Sequence, residues 1–207
     1  MEWILDRSMT PQGTQDAELV RRMAAGDEEA LRRLYAAHDR RMYAYALRLT
    51  GDAATAEDVL QESLVAAWQG AKRFRGDSQT STWLLGIVHH KAMNAIRRRE
   101  RIIARETAID GTERKEPPEH RIPDDAPTPD EEALASDMAR LLRAGLDELS
   151  KEHRAVLALV FYHGLGLREV AEICRCPVGT VKSRLSYAKK HLRGILSRCG
   201  LGTEDTP

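Results

Sequence analysis

The sequence predicts an all-α protein made of two small helical domains joined by an acidic linker that contains prolines. Apolar residues recur at three- and four-residue intervals, as they do on the buried side of a helix, and the alternation of a β-strand is absent. Ala, Leu, Arg and Glu dominate the composition, and most of these residues favour helices. A chain of 207 residues has room for two small domains.

Five segments are expected along the chain. Over residues 106–133 prolines interrupt a run of acidic residues, so this stretch is expected to be an extended tether without a core of its own. It separates a helical domain at residues 15–105 from a second one at residues 134–199. Residues 1–14 and 200–207 are expected to be flexible ends.

Charge is balanced over the whole chain and segregated locally. Lys+Arg and Asp+Glu each total 32, and this balance on its own argues against a nucleic-acid-binding protein. Two basic blocks, Arg97 to Arg105 and Lys182 to Arg193, nevertheless lie on either side of the acidic linker. No apolar run approaches the roughly 20 residues that span a bilayer, and no signal peptide is recognisable. We therefore expect a cytoplasmic protein without membrane insertion.

The sequence indicates neither catalysis nor a cofactor. It contains no phosphate-binding loop, no pair of nucleophile and base, and no acidic metal cluster. Its three cysteines, Cys174, Cys176 and Cys199, are an odd number, so a disulfide framework is not expected. A zinc or redox switch that also uses His163 is conceivable. The one-residue spacing suits structural zinc poorly, however, and a buried cysteine in a turn is the favoured interpretation.

Capping residues predict the helix boundaries of the first domain. Asp16 is expected to cap a short helix that ends at Gly26. Asp27 is expected to open a longer helix that Gly51 stops. A third helix is expected from about Asp52.

A polar loop from Phe74 to Ser81 is expected before a fourth helix from about Thr82 to Arg101. Trp83, at the start of this helix, is either a core residue or a stacking surface for an unpaired base. The more polar side of the helix is expected to carry His89, His90, Asn94, Arg97 and Arg98. Two histidines suggest a metal, but no Cys, Asp or Glu lies at ligand spacing, so a solvated or phosphate-facing surface is favoured.

The third helix carries a cluster of acidic residues. Asp58 and Glu62 are one helical turn apart, and Gln61 lies beside them. Like charges at this spacing destabilise an isolated helix by about a few tenths of a kcal/mol unless a basic partner covers them. Surface helices often tolerate such pairs, so the pattern alone favours an ordinary solvated face.

A helix-turn-helix is the strongest local signal, and it runs from Gly166 to Leu185. A short helix breaks at Cys174 to Cys176, and Pro177 suits the first turn of the next helix. The outer face of that second helix is predicted to carry Gly179, Thr180, Ser183, Ser186, Tyr187 and Lys190, flanked by Lys182 and Arg184. Because these donors suit the major groove, DNA recognition is favoured over a merely solvated basic face.

In this order and spacing the motifs resemble the extracytoplasmic-function (ECF) group of the sigma-70 family, over nearly the whole chain. The segment Asp58 to Trp68 resembles the polymerase-binding helix of that family. Ser81 to Leu85 and Ala95 to Arg99 resemble segments that melt and recognise the −10 element. Pro177 to Leu185 resembles the recognition helix for the −35 element.

The resemblance implies two domains, region 2 and region 4, and a function in transcription initiation. Core RNA polymerase would bind Asp58, Gln61 and Glu62. DNA at the −10 element would meet Arg75, Gln79, Thr80, Ser81, Thr82, Trp83, His90, Asn94, Arg97 and Arg98. The −35 element would meet Gly179, Thr180, Lys182, Ser183, Arg184, Tyr187 and Lys190. The implied partners are core polymerase, promoter DNA and an anti-sigma factor, with no metal or cofactor and no catalytic residue.

A helix-turn-helix regulator is the alternative function. Such a protein would bind operators as a dimer and use residues 15–105 as an effector domain. It would bind DNA tightly by itself, whereas a sigma factor should bind promoters weakly until polymerase is present.

Overall fold

The computed structural model describes residues 11–110 and 142–198. The predicted tail, most of the predicted linker and Cys199 lie outside these residues. The described ranges are helical and contain no strand, which confirms the all-α prediction. The described residues divide into two compact units, one formed by residues 11–110 and 172–175 and the other by residues 142–171 and 176–198.

The first unit consists of α1 (Pro11–Ala24), α2 (Glu28–Thr50), α3 (Ala53–Gly70), a 3-10 turn (Ala71–Arg73) and α4 (Thr80–Asp110). The second contains α5 (residues 142–147), α6 (Lys151–Leu157), a π-helical turn (Ala158–Tyr162), α7 (Leu167–Cys174) as far as Ala171, and α8 (Val178–Arg198). None of the described helices is both long enough and apolar enough to cross a membrane.

Local capping fixes both ends of α2 and the start of α3, as predicted. The Asp27 carboxylate accepts hydrogen bonds from the backbone N–H groups of Glu29 and Ala30, at 3.0 and 3.2 Å. Gly51 ends α2 in the left-handed region, with φ of 71°, which a residue with a Cβ adopts only at a cost. Asp52 then accepts from the Thr55 N–H at 2.8 Å and caps α3.

The predicted role of Asp16 as a helix cap is wrong. The first helix begins at Pro11, inside the predicted flexible end, and Asp16 lies within it. The Asp16 carboxylate is 4% exposed, and its Oδ2 lies 2.8 Å from Nε2 of His38 on α2. A buried carboxylate needs such a partner, so Asp16 joins α1 to α2 instead of starting a helix.

Helices α2, α3 and α4 pack against one another and form the core of the first unit. The core residues from α2 follow the predicted spacing. Side chains that are at most 2% exposed include Leu34, Met42, Tyr45, Ala46 and Leu49 from α2, Val59 and Ala67 from α3, and Leu84, Leu85, Val88 and Ala92 from α4.

His89 belongs to this core, contrary to the prediction that it shares the polar side of α4. Its side chain is 7% exposed, and its Nδ1 lies 2.9 Å from the Tyr45 hydroxyl group. Adjacent residues on a helix point about 100° apart, so His89 and His90 cannot share one narrow face. The polar partner in α2 allows a histidine to occupy the buried face.

The core of the second unit includes Leu149, Leu157 and Ala188, with Leu146, Leu185 and Leu192 packed against them. Val181 and Ala188 are seven residues apart in the sequence, a spacing that predicts one face of a helix, and both are fully buried on α8. Phe161 is apolar but 61% exposed. It lies in the π-helical turn, whose wider helical turn changes the direction in which each side chain points.

Candidate nucleic-acid and polymerase interfaces

The exposed side of α3 carries the three predicted polymerase-binding residues. Asp58, Gln61 and Glu62 are all exposed, and their spacing of three and four residues places them on one side of the helix. Val65 continues the same side one turn further and is 57% exposed. We call these four residues the acidic face.

One basic side chain already meets the acidic face. Lys91 of α4 places its Nζ 3.0 Å from Oε2 of Glu62. Because the Glu62 side chain is 63% exposed, water screens this ion pair and it contributes little. Among residues 11–110 and 142–198 no ion pair to Asp58 occurs, so the acidic face keeps negative charge for a basic partner.

The loop before α4 and the first turn of that helix contain six of the predicted −10 residues. Arg75 is exposed, whereas Gln79, Ser81 and Trp83 are half-buried. The Ser81 hydroxyl donates to Oε1 of Gln79 at 3.4 Å. Trp83 packs against Phe74, with 4.7 Å between the ring centroids, so one side of the indole is covered.

Thr80 and Thr82 differ from their neighbours because each is only 3% exposed. The predicted loop extended to Ser81, but α4 begins at Thr80, and its first turn buries both side chains. Within the described part of the chain Thr80 Oγ1 is buried without a hydrogen-bond partner. In this arrangement neither hydroxyl lies at the surface.

Further along α4, three of the four remaining −10 residues are exposed. Asn94, Arg97 and Arg98 are exposed, and His90 is half-buried. The Arg97 guanidinium donates to Oδ1 of Asn94 at 3.1 Å, which orients it along the helix surface. Burial, aided by nearby positive charge, lowers the pKa of His90 below its ordinary value. His90 is therefore a neutral donor at neutral pH, and the arginines supply the charge.

Trp83, His90, Asn94 and Arg97 share one side of α4, because steps of seven, four and three residues return to the same face. We call them, together with Arg98, the α4 face. An indole beside hydrogen-bond donors and cations is suited to hold an unstacked base and its phosphates.

The helix-turn-helix lies where the sequence predicted it. Helix α7 ends at Cys174, and Arg175 adopts a positive φ of 49°, which turns the chain sharply. The Pro177 carbonyl group accepts from the Thr180 N–H at 2.9 Å. Pro177 thus immediately precedes α8 and does not occupy its first position, a shift of one residue.

The outer side of α8 carries the predicted −35 residues. Gly179, Lys182, Ser183, Tyr187 and Lys190 are exposed, and Thr180 and Arg184 are half-buried. We call these seven residues the α8 face. It presents two lysines and an arginine together with hydroxyl groups, on a helix whose opposite side is buried, as a helix that enters the major groove requires.

The cysteines of the turn are half-buried, not buried as expected. Cys176 Sγ lies 3.9 Å from Nη1 of Arg184, so it borders the α8 face. Within residues 11–110 and 142–198 no three His, Cys, Asp or Glu residues are grouped closely enough to hold a metal ion.

Two family models match the chain: sigma-70 region 2 at residues 34–102 and sigma-70 region 4 at residues 139–192. The chain belongs to the sigma-70 family. The ECF sigma factor SigL of Mycobacterium tuberculosis is 38% identical over 181 residues, which is 86% of this chain and 95% of SigL. The RNA polymerase sigma-H factor of Pseudomonas aeruginosa is 30% identical over 177 residues, 85% of this chain and 91% of that protein.

Solved sigma factors share the fold. The sigma factor RpoE of Bartonella quintana, in complex with the anti-sigma factor NepR, superimposes with a TM-score of 0.62 at 26% identity. The match covers 80% of this sigma factor and 96% of RpoE. The chain is thus an ECF sigma factor, a protein that directs RNA polymerase to promoters, and the operator-binding regulator is not favoured.

Two residues of this sigma factor's surfaces were missed from the sequence. Val65 extends the acidic face, and its seven-residue distance from Asp58 was a usable signal. Lys91 was missed because it meets Glu62 from another helix, 29 residues along the chain. Only the packing of α3 against α4 brings Lys91 and Glu62 together.

Proposed function

We propose that this sigma factor divides its work among the three surfaces defined above. The acidic face binds core RNA polymerase, the α4 face and the loop before it bind and open the −10 element, and the α8 face recognises the −35 element. In domain terms, residues 15–105 would carry the first two tasks and residues 134–199 the third. The exposure of these three faces, on helices whose opposite sides are buried, carries the proposal.

The acidic face is suited to a basic protein partner. Asp58 and Glu62 repel each other on one side of α3, and Lys91 relieves only Glu62. A basic helical surface on polymerase would supply the remaining countercharge, and Val65 would add an apolar contact. Complementary charge chiefly sets which partner binds and how fast.

The α4 face supports DNA opening without an added energy source. Unstacking a base costs on the order of a few kcal/mol, which capture of the exposed base offsets. The uncovered side of Trp83 would stack on a base, while Arg97 and Arg98 would contact phosphates. Thr80 and Thr82 are buried, so we leave their side chains out of the proposed contacts, and the exposed Arg75 and the half-buried Gln79 and Ser81 remain in the set.

Further partners and the cellular site follow from the same function. The complex of RpoE with NepR supports an anti-sigma factor as a further partner of this sigma factor. Core polymerase and promoter DNA place its work in the cytoplasm. Because its task is to bind and position, we assign it no chemical step and no catalytic residue.

Run-off transcription with purified core polymerase tests the division of work. Asp58→Lys should abolish association with core polymerase, whereas the matched charge reversal Glu18→Lys, at an exposed position on α1, should not. Arg184→Ala should lower initiation only at promoters with a native −35 element and leave polymerase association unchanged. If both Asp58→Lys and Arg184→Ala abolish polymerase association alike, the proposed division is wrong.

A gel-shift assay separates the sigma factor from the operator-binding alternative. The purified protein should bind a promoter fragment weakly and bind tightly once core polymerase is added. Tight binding to a palindrome in the absence of polymerase would contradict the proposal.

A further inference from the structure

Tyr187 occupies an unusual place on the α8 face, because its ring is largely exposed and yet packs against another ring. The side chain is 57% exposed. The imidazole ring of His153, on α6, lies against it with 4.6 Å between centroids and a tilt of 35°. That distance and tilt are within the range of favourable aromatic pairs.

His153 is itself fixed by the start of its helix. Ser150 caps α6, and its Oγ accepts from the His153 backbone N–H at 3.4 Å. The same Oγ lies 2.7 Å from Nδ1 of the His153 ring. One serine therefore sets both the beginning of α6 and the orientation of the imidazole.

A second imidazole lies near the Tyr187 ring. His191, one turn along α8, is nearly parallel to Tyr187, at an interplanar angle of 7° and a centroid distance of 6.4 Å. Its Nε2 lies 3.2 Å from Oε2 of Glu148. His153, at 4.6 Å between ring centroids, makes the closer contact with Tyr187.

We propose that His153 is a positioning residue for recognition of the −35 element: it holds the Tyr187 ring in the orientation in which that ring meets DNA. This inference rests on the proposed role of the α8 face. An exposed tyrosine that rotates freely loses side-chain entropy when it binds. A ring that is already held in place avoids most of this cost. The gain expected from this preorganisation is about two- to tenfold in affinity.

The test uses full-length sigma factor assembled with core polymerase, and promoter fragments that carry either the native −35 element or a replaced one. We expect His153→Ala to weaken binding to the native fragment about two- to tenfold and to leave binding to the replaced fragment unchanged. His153→Phe, which keeps a ring, should restore native binding to within about twofold.

A double-mutant cycle separates positioning from a merely structural role. Once Tyr187→Ala is present, His153→Ala should cause no further loss, because its effect passes through that ring. The inference would be overturned if the affinity losses of His153→Ala and Tyr187→Ala multiplied in the double mutant. It would also be overturned if His153→Ala weakened binding to both fragments equally, or if His153→Phe failed to restore binding. If His153→Ala does not fold, His153→Gln is the substitute, and the same loss is expected from it.

Failure of the underlying function has a different result. If Tyr187→Ala and Lys190→Ala both leave native-promoter binding unchanged, the α8 face does not recognise the −35 element, and the role of His153 fails with it. If Tyr187→Ala weakens binding and His153→Ala does not, only the positioning role is wrong.

Discussion

The hydroxyl group of Tyr45 lies 2.9 Å from Nδ1 of His89, between α2 and α4. The Tyr45 side chain is fully buried and that of His89 nearly so. Burial raises the pKa of Tyr45 well above its ordinary value, so the phenol stays neutral. This pair joins the helix that carries the α4 face to the centre of the first unit.

Tyr45→Phe should destabilise the first unit by about 1–3 kcal/mol, because it removes the hydroxyl partner of a buried imidazole nitrogen. The melting temperature should fall by roughly 4–8 °C for each kcal/mol. Tyr43→Phe makes the same chemical change at a half-buried position of α2 and should alter stability much less. Equal melting temperatures for the Tyr45 variant and the wild-type protein would contradict this role.

Gly145→Ala should stabilise the second unit less than an alanine at an open helical position does, because the side chains of Ile195 and Leu192 crowd this point of α5. A Cβ at Gly145 would overlap Cδ1 of Ile195 and approach Cδ2 of Leu192 to 3.3 Å. Both atoms end flexible side chains that can turn aside, so the crowding should offset part of the roughly 0.5–1 kcal/mol that alanine gains over glycine within a helix. Urea denaturation measures the change.

Gly194→Ala is the matched control for that substitution. A Cβ at Gly194, on α8, would meet no atom within 4 Å, so alanine should stabilise the helix by about 0.5–1 kcal/mol. Gly194→Ala should thus stabilise the second unit more than Gly145→Ala does. Equal gains at the two positions would show that Ile195 and Leu192 turn aside without cost.

The Asp52 cap should make stability depend on pH in the acid range. Hydrogen bonds from the Thr55 side chain and backbone N–H lower the pKa of Asp52 below its ordinary value of 3.8. Since the folded pKa lies below the unfolded one, the stabilisation is fully present above about pH 5 and is lost as pH falls through the folded pKa. Asp52→Ala should cost about 1 kcal/mol at pH 7, as measured by urea denaturation.

Asp52→Asn separates the cap from the charge. Asparagine caps helices about as well as aspartate, so stability at pH 7 should change little. The loss of stability between pH 5 and pH 3 should be smaller than in the wild-type protein. If the loss of stability between pH 5 and pH 3 were the same in the variant and in the wild-type protein, other carboxylates would be responsible for it.

Val65→Ser should weaken association with core polymerase severalfold and leave the melting temperature unchanged. The side chain is 57% exposed at one end of the acidic face, so the substitution removes apolar area available to a partner. Fluorescence titration of labelled sigma factor with core polymerase measures the affinity. Equal affinities for the variant and the wild-type protein would remove Val65 from the polymerase contact.

What the sequence predicted well is local in the chain. Asp27, Gly51 and Asp52 act within four residues of the helix ends they define, and the seven-residue apolar step from Val181 to Ala188 lies within one helix. Capping and helical periodicity require no knowledge of other elements. The two-domain helical architecture follows from such signals.

What the sequence missed depends on distant partners. Aspartate is a common helix cap, but Asp16 pairs with His38, 22 residues away in the sequence, and this partner allows it to be buried within α1. Likewise, the burial of His89 depends on Tyr45, which is 44 residues away in the sequence but lies next to it in the folded protein. Propensity cannot identify these pairings, since each depends on which helices pack together.

Helix α4 joins two environments that differ sharply. Val88 and Ala92 in its first half are fully buried, whereas residues 97–105 are exposed. At about 1.5 Å per residue, Arg101 lies roughly 20 Å along the axis from Val88. A tilt of about 5° around Val88 therefore displaces the exposed end by nearly 2 Å, comparable to half a hydrogen-bond length. Substitutions that repack Val88 or Ala92 would therefore move the exposed arginines at the other end of α4 further than they move the core around these two residues.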